Sequence, residues 1–175
     1  MAATYTLISS QVLGTTASSV TFSSIPQTYT DLKLTCSARD NGSNSVGALY
    51  IGYNGDTSSG HFSFTQLNNT GSVQTASYTS QNYNINYFTE PSGSSTANTF
   101  GSVDLYIPSY TLTGTKQVYS FGVGENNTTA ANNYGVVIQA NLYQGTSAIT
   151  SLNLFPGSGS FVAYSSFYLY GIRNS

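Results

Sequence analysis

The chain has 175 residues, of which only 6% are Lys, Arg, Asp or Glu, and a formal net charge of −2; an ordinary soluble domain carries roughly 25%. Its four basic side chains, Lys33, Arg39, Lys116 and Arg173, are too few and too separated to displace the counterions of a nucleic acid, so direct nucleic-acid binding is excluded. No stretch approaches the length of a membrane span, and the N-terminus lacks a basic region followed by an apolar one; no membrane partner is expected, and the chain is read as made in a cytoplasm.

Apolar runs rich in β-branched and aromatic residues follow one another without a helical period, so the chain reads as all-β. Strands are expected over 4–9, 18–23, 31–38, 48–54, 61–67, 73–79, 83–88, 100–107, 117–124, 134–143, 148–154 and 166–172. In the third, Leu32, Leu34, Cys36 and Ala38 alternate onto one face and Lys33, Thr35 and Ser37 onto the other, which makes the lone Cys36 a small buried hydrophobe and leaves no intrachain disulfide. Asp40-Asn-Gly42, Asn54-Gly55, Ser59-Gly60, Pro91-Ser-Gly93 and Pro156-Gly157 carry turn chemistry, while 40–47, 55–60, 89–99 and 125–133 read as loops. The length suits one domain, 1–175, and fifteen Tyr with nine Phe supply its core. A single antiparallel β-sandwich, of jelly-roll type, is the expected fold. An immunoglobulin-like sandwich is weakened by the absent cysteine pair and the absence of Trp.

Chemistry is sparse in this pattern. His61 opens a strand in Gly60-His-Phe-Ser-Phe64 without a nucleophile motif, and Asp31, Asp40, Asp56, Glu90, Asp104 and Glu125 are dispersed along the chain. Neither a catalytic group nor a metal or cofactor site is expected, so the chain is not read as an enzyme. Sugar binding is the competing use of the surface, because Tyr and Asn offer ring stacking and hydrogen bonds. The densest patch of that kind runs through Tyr78, Gln81, Asn82, Tyr83, Asn84, Asn86 and Tyr87, although aromatic residues at period two more often form cross-strand pairs.

Three segments, Phe22-Ser-Ser-Ile-Pro-Gln-Thr-Tyr-Thr-Asp-Leu-Lys-Leu34, Ala97-Asn-Thr-Phe-Gly-Ser-Val-Asp-Leu-Tyr-Ile-Pro-Ser-Tyr110 and Ser166-Phe-Tyr-Leu-Tyr-Gly-Ile-Arg-Asn-Ser175, resemble small β-sandwich virion structural proteins of tailed phages, notably phages of cyanobacteria. The resemblance spans essentially the full length. It implies a virion structural protein of capsid or tail fibre; one compact domain without an extended shaft or attachment module then favours a capsid decoration (cement) protein on the outer surface of the capsid, binding the major capsid protein in many copies as a homotrimer and bridging capsomers by avidity. Under that reading Met1, Ala2, Ala3, Thr4, Tyr5 and Thr6 add a strand to a neighbouring edge, with loops such as 89–99 as further contacts. The alternative is a receptor- or glycan-binding module of a tail or head fibre, meeting a host glycan through Tyr78, Tyr83, Asn84 and Tyr87.

Overall fold

Alternating apolar residues bounded by Gly, Asn and Pro turns fold as the pattern directs. The computed structural model describes residues 4–58, 60–69, 73–125 and 134–173; within strands, the side chains of 68, 69, 73, 74, 78, 80, 84–89, 125 and 134 lie outside that description. Among the described residues the strands are β1 (Thr4–Val12), β2 (Val20–Phe22), β3 (Asp31–Ala38), β4 (Val46–Tyr53), β5 (Phe62–Asn69) and β6 (Val73–Gln81), followed by β7 (Asn84–Pro91), β8 (Gly101–Ile107), β9 (Lys116–Glu125), β10 (Tyr134–Tyr143), β11 (Leu152–Pro156) and β12 (Ser166–Arg173). They form an eight-stranded sheet, ordered β1-β12-β3-β8-β9-β10-β5-β6, and a four-stranded sheet, ordered β2-β11-β4-β7. Every pairing is antiparallel, and the two sheets pack as a jelly-roll-like sandwich.

The core lies between the sheets. Leu32, Leu34, Cys36 and Ala38 of β3 are buried as their alternation requires, and register places them beside Ile107, Leu105, Val103 and Gly101 of β8. Phe167 and Leu169 of β12 continue the same layer, while Leu49, Ile51 and Tyr53 of β4 and Leu152 and Leu154 of β11 close it from the small sheet. Asn54 and Gly55 take the positive φ values of 55° and 68° that their turn motif supplies. Several boundaries differ from expectation, β7 for example running on to Pro91, and for two of them the physical reason is visible. A bulge between Leu7 and Ser9 lets β1 stay paired with β12 as far as Val12. Residues 148–151 are withheld from β11 because Asn54 captures them: its Oδ1 accepts from the amides of Thr150 and Ser151, and its Nδ2 donates to the Ala148 carbonyl.

Hydrophobic patterning inverts in the second half of the large sheet. On β10 the inward side chains are Val137, Gln139, Asn141 and Tyr143, whereas Val136 and Ile138 face solvent at 43% and 42% exposure. Buried amides of this kind require partners. Ser120 donates to Gln139 Oε1 at 3.0 Å, Gln139 Nε2 donates to Gln66 Oε1 at 3.0 Å, and Asn141 Nδ2 donates to Ser120 Oγ and the Val118 carbonyl at 3.2 Å each.

The crossover from the small sheet to the large one, residues 92–99, is held by a single guanidinium. Arg39, only 8% exposed, donates through Nη1 to the Thr96 and Thr99 carbonyls and through Nη2 to those of Ser92 and Ser95, at 2.8 to 3.2 Å. Replacing it orphans backbone acceptors in a buried corner. Arg39→Ala is expected to cost about 3 kcal/mol or more of stability, read as a lowered urea midpoint with an unchanged slope.

Candidate functional site

Because β10 turns its apolar residues outward, the face of the large sheet opposite the core is an open platform. Register across β8, β9, β10, β5 and β6 sets Tyr106 beside Tyr119, Tyr119 beside Ala140, Ala140 beside Thr65 and Thr65 beside Ser77. One row further along the strands lie Asp104, Phe121, Ile138, Leu67 and Thr75. A groove of about 650 Å³ crosses this face, lined by Tyr106, Tyr119, Gln117, Leu142, Thr65 and Ser77 among others. Tyr119 is 50% exposed. The Tyr106 hydroxyl donates to Asp31 Oδ2 at 2.6 Å, and Asp31 Oδ1 accepts from the Ser109 amide at 2.8 Å, so that ring is pinned. Thr65 and Ser77 share a hydroxyl contact of 3.0 Å. Lys33 lies on the same face with Asp104 at 3.1 Å, so its charge is answered.

A second cluster stands at the Asn54–His61 turn. His61 Nδ1 lies 2.6 Å from Asp56 Oδ2, which also accepts from the Tyr143 hydroxyl at 3.1 Å, while Asp56 Oδ1 accepts from the Ser58 amide at 2.9 Å. Burial works to raise the Asp56 carboxyl, but hydrogen bonds from His61, Ser58 and Tyr143 outweigh it and hold the group at about 2. Burial first, and then the charge and hydrogen bond of Asp56, push Tyr143 up to about 12. Thus His61 has the orienting acid that its local sequence did not advertise. Among the described residues no hydroxyl or thiol nucleophile is hydrogen-bonded to its ring, and the pair acts as a lock on the turn.

The residues singled out in the sequence are not assembled into one site. Thr4, Tyr5 and Thr6 are strand residues of β1, paired in their own chain with Arg173, Ile172 and Gly171, while Met1, Ala2 and Ala3 lie outside the described residues. One side of the 4–6 segment is therefore occupied by β12, and its other side is the edge of the eight-stranded sheet. Tyr83 is half-buried: its ring meets Phe155 edge-on at 4.7 Å and stacks near Tyr50 at 6.2 Å. The side chains of Tyr78, Asn84 and Tyr87 lie outside the described residues, as does most of the 125–133 loop. Cys36 is buried, and burial chiefly, with Glu90 and Asp104 adding, raises its thiol well above the ordinary value, as a core cysteine requires. The supposedly dispersed carboxylates are in part gathered: Glu90 and Asp40 both flank Gly47 at one end of the sandwich.

No family model and no curated protein matches the chain. Among solved structures it is similar to an exo-inulinase of Aspergillus awamori, with 14% identity and a TM-score of 0.45 over 96% of this chain and 29% of that one. It is also similar to a galectin of Caenorhabditis elegans, with 11% identity and a TM-score of 0.28 over 88% of this chain and 96% of that one. A third likeness is to a structure of botulinum neurotoxin type C, whose cell entry depends on interaction with two ganglioside molecules, at 14% identity and a TM-score of 0.24 over 97% of this chain and 42% of that one. The chain thus spans under a third of the inulinase and under half of the toxin chain. The structures matched here are a glycosidase, a galectin and toxin domains rather than virion proteins. None of these structures is a virion protein, so the expected bacteriophage virion, capsid-decoration and cement terms are left without support and are not carried forward.

Since the folded value of Asp56 lies below its ordinary 3.8, the group adds stability above that pH, and the contribution is lost as pH falls through about 2. Asp56→Asn is expected to cost about 1–3 kcal/mol at pH 7. Urea midpoints of the variant and the parent should converge as pH approaches 2.

Proposed function

We propose that this chain is a glycan-binding module that receives a neutral sugar in the groove on the open face of the eight-stranded sheet. The observation that carries the reading is the inversion of β10, which buries Gln139 and Asn141 and leaves Val136, Ile138 and the neighbouring Tyr119 and Leu67 in water. A soluble chain that exposes a contiguous apolar face marks an interaction surface. The chemistry of the groove then narrows the occupant. Tyr106 and Tyr119 offer rings to the C–H face of a sugar, and Thr65, Ser77 and Gln117 offer uncharged donors and acceptors to its hydroxyls. Lys33 is engaged by Asp104, so the groove suits an uncharged ligand better than an anionic one. Tyr106 is fixed by its bond to Asp31, and a fixed ring loses little entropy on binding.

Screening the full chain against an array of neutral glycans, followed by calorimetry on the hits, tests this reading. Tyr119→Ala is expected to weaken binding about tenfold, the worth of one aromatic contact, while the far-ultraviolet circular dichroism stays unchanged. Absence of binding across neutral glycans overturns the proposal. So does concentration-dependent dimerisation that Tyr119→Ala abolishes, which would make the face a contact between copies.

A further inference from the structure

At the opposite corner from the groove, two acidic side chains are buried without compensation. Asp40 follows β3, Glu90 is the penultimate residue of β7, and both have no solvent exposure. Pairing of β4 with β7 places Glu90 opposite Gly47, and a Cβ on Gly47 would collide with Asp40 Oδ2 while lying 3.8 Å from Glu90 Cβ. The missing side chain at 47 is thus the space in which the two acids approach one another. Asp40 Oδ1 is satisfied by the Gly42 amide at 2.7 Å and by the Ser92 hydroxyl. The other three carboxyl oxygens, Asp40 Oδ2, Glu90 Oε1 and Glu90 Oε2, have no hydrogen-bond partner. Ser158 Oγ is likewise buried and unpartnered, and a Cβ on Gly42 would meet both it and, at 3.0 Å, Asp40 Oδ1.

Such an arrangement costs several kcal/mol unless something neutralises it. Arg39 is the adjacent cation, but both of its terminal nitrogens are spent on the carbonyls of 92–99. One guanidinium also stands against two carboxyls. Among the described residues no group of three or more His, Cys, Asp or Glu side chains converges, so the side-chain acids of this corner number two, and the rest of a cation's shell would come from hydroxyl, carbonyl or water oxygens. What is present is a buried set of oxygen atoms, the three orphan oxygens of two carboxyls that flank Gly47, which is the donor type that hard divalent cations take.

We infer that the Asp40–Glu90 corner, opened by Gly47, binds a hard divalent cation of the calcium class. Such an ion answers the surplus negative charge and the three orphan oxygens together, and it ties the end of β3 to the end of β7 across the small sheet's edge. Burial, with Asp40 adding, raises the Glu90 carboxyl well above its ordinary value, and burial raises Asp40 as well, so the ion competes with a proton for the same oxygens.

The test is thermal unfolding of the full chain, freed of metal with a chelator, in rising calcium chloride at neutral pH. At a hundred times the dissociation constant, Tm is expected to rise by about 5–10 °C. Glu90→Gln and Asp40→Asn, which keep side-chain volume, should abolish the rise, whereas Asp104→Asn at the exposed ion pair should retain it. Infrared spectroscopy of the unaltered chain gives a reading that does not depend on the variants folding: the carboxylic-acid C=O band of Glu90 should disappear when calcium is added. No change in Tm, an equal rise in Glu90→Gln, or a carboxylic-acid band that persists in saturating calcium would each overturn the proposal, the last in favour of a shared proton.

Discussion

The Arg39 guanidinium is the constraint on which the rest of the sandwich depends. A two-sheet fold must pass its chain from one layer to the other, and the passage from β7 to β8 leaves backbone carbonyls in a corner without a strand to pair them. Arg39 answers four of these from one planar head group, a geometry that no ammonium reproduces. Ser165 reinforces that corner from β12's side, accepting from the Arg39 amide at 3.2 Å.

With the crossover fixed, β7 lies over the half of the large sheet whose inward side chains are polar. Gln66, Ser120, Gln139 and Asn141 satisfy one another there, so the interior tolerates them. Strand alternation then forces the complementary apolar set to the outside, because the side-chain period of two leaves no other position. The open face of Tyr119, Ile138 and Leu67 is therefore a direct consequence of an amide network on its reverse side. Aromatic packing at the sandwich end, where Tyr53, Phe62 and Tyr143 meet at 4.9 to 5.7 Å, closes this half and carries the Asp56–His61 turn lock through Tyr143.

The two ends of the molecule manage charge in opposite ways. Asp56 is stabilised as an anion by three neighbours that donate to it. Asp40 and Glu90 are pushed toward neutrality by burial, with their outer oxygens unanswered. Environment separates these carboxyls, since all three lie at or just past the ends of strands.

Local pattern was enough to show an all-β chain, the alternation of β3, the burial of Cys36 and the Asn54-Gly55 turn, because each depends on neighbours within a few residues. For β10 it reached less far. Which face turns inward was not legible, since Val-Ile-Ala-Leu against Val-Gln-Asn-Tyr describes the same period in either orientation, and only the partners Ser120 and Gln66 on other strands make the polar choice tolerable. The groove is likewise assembled from separate strands, β5, β6, β8, β9 and β10, and no local run of residues announces it. The captured segment 148–151 and the meeting of Asp40 with Glu90 depend on contacts between residues far apart in sequence, Asn54 with Thr150 and Gly47 with Glu90. Register between distant strands is a property of the packed sheets, and it is there that dispersed carboxylates become a pair and an apolar stripe becomes a surface.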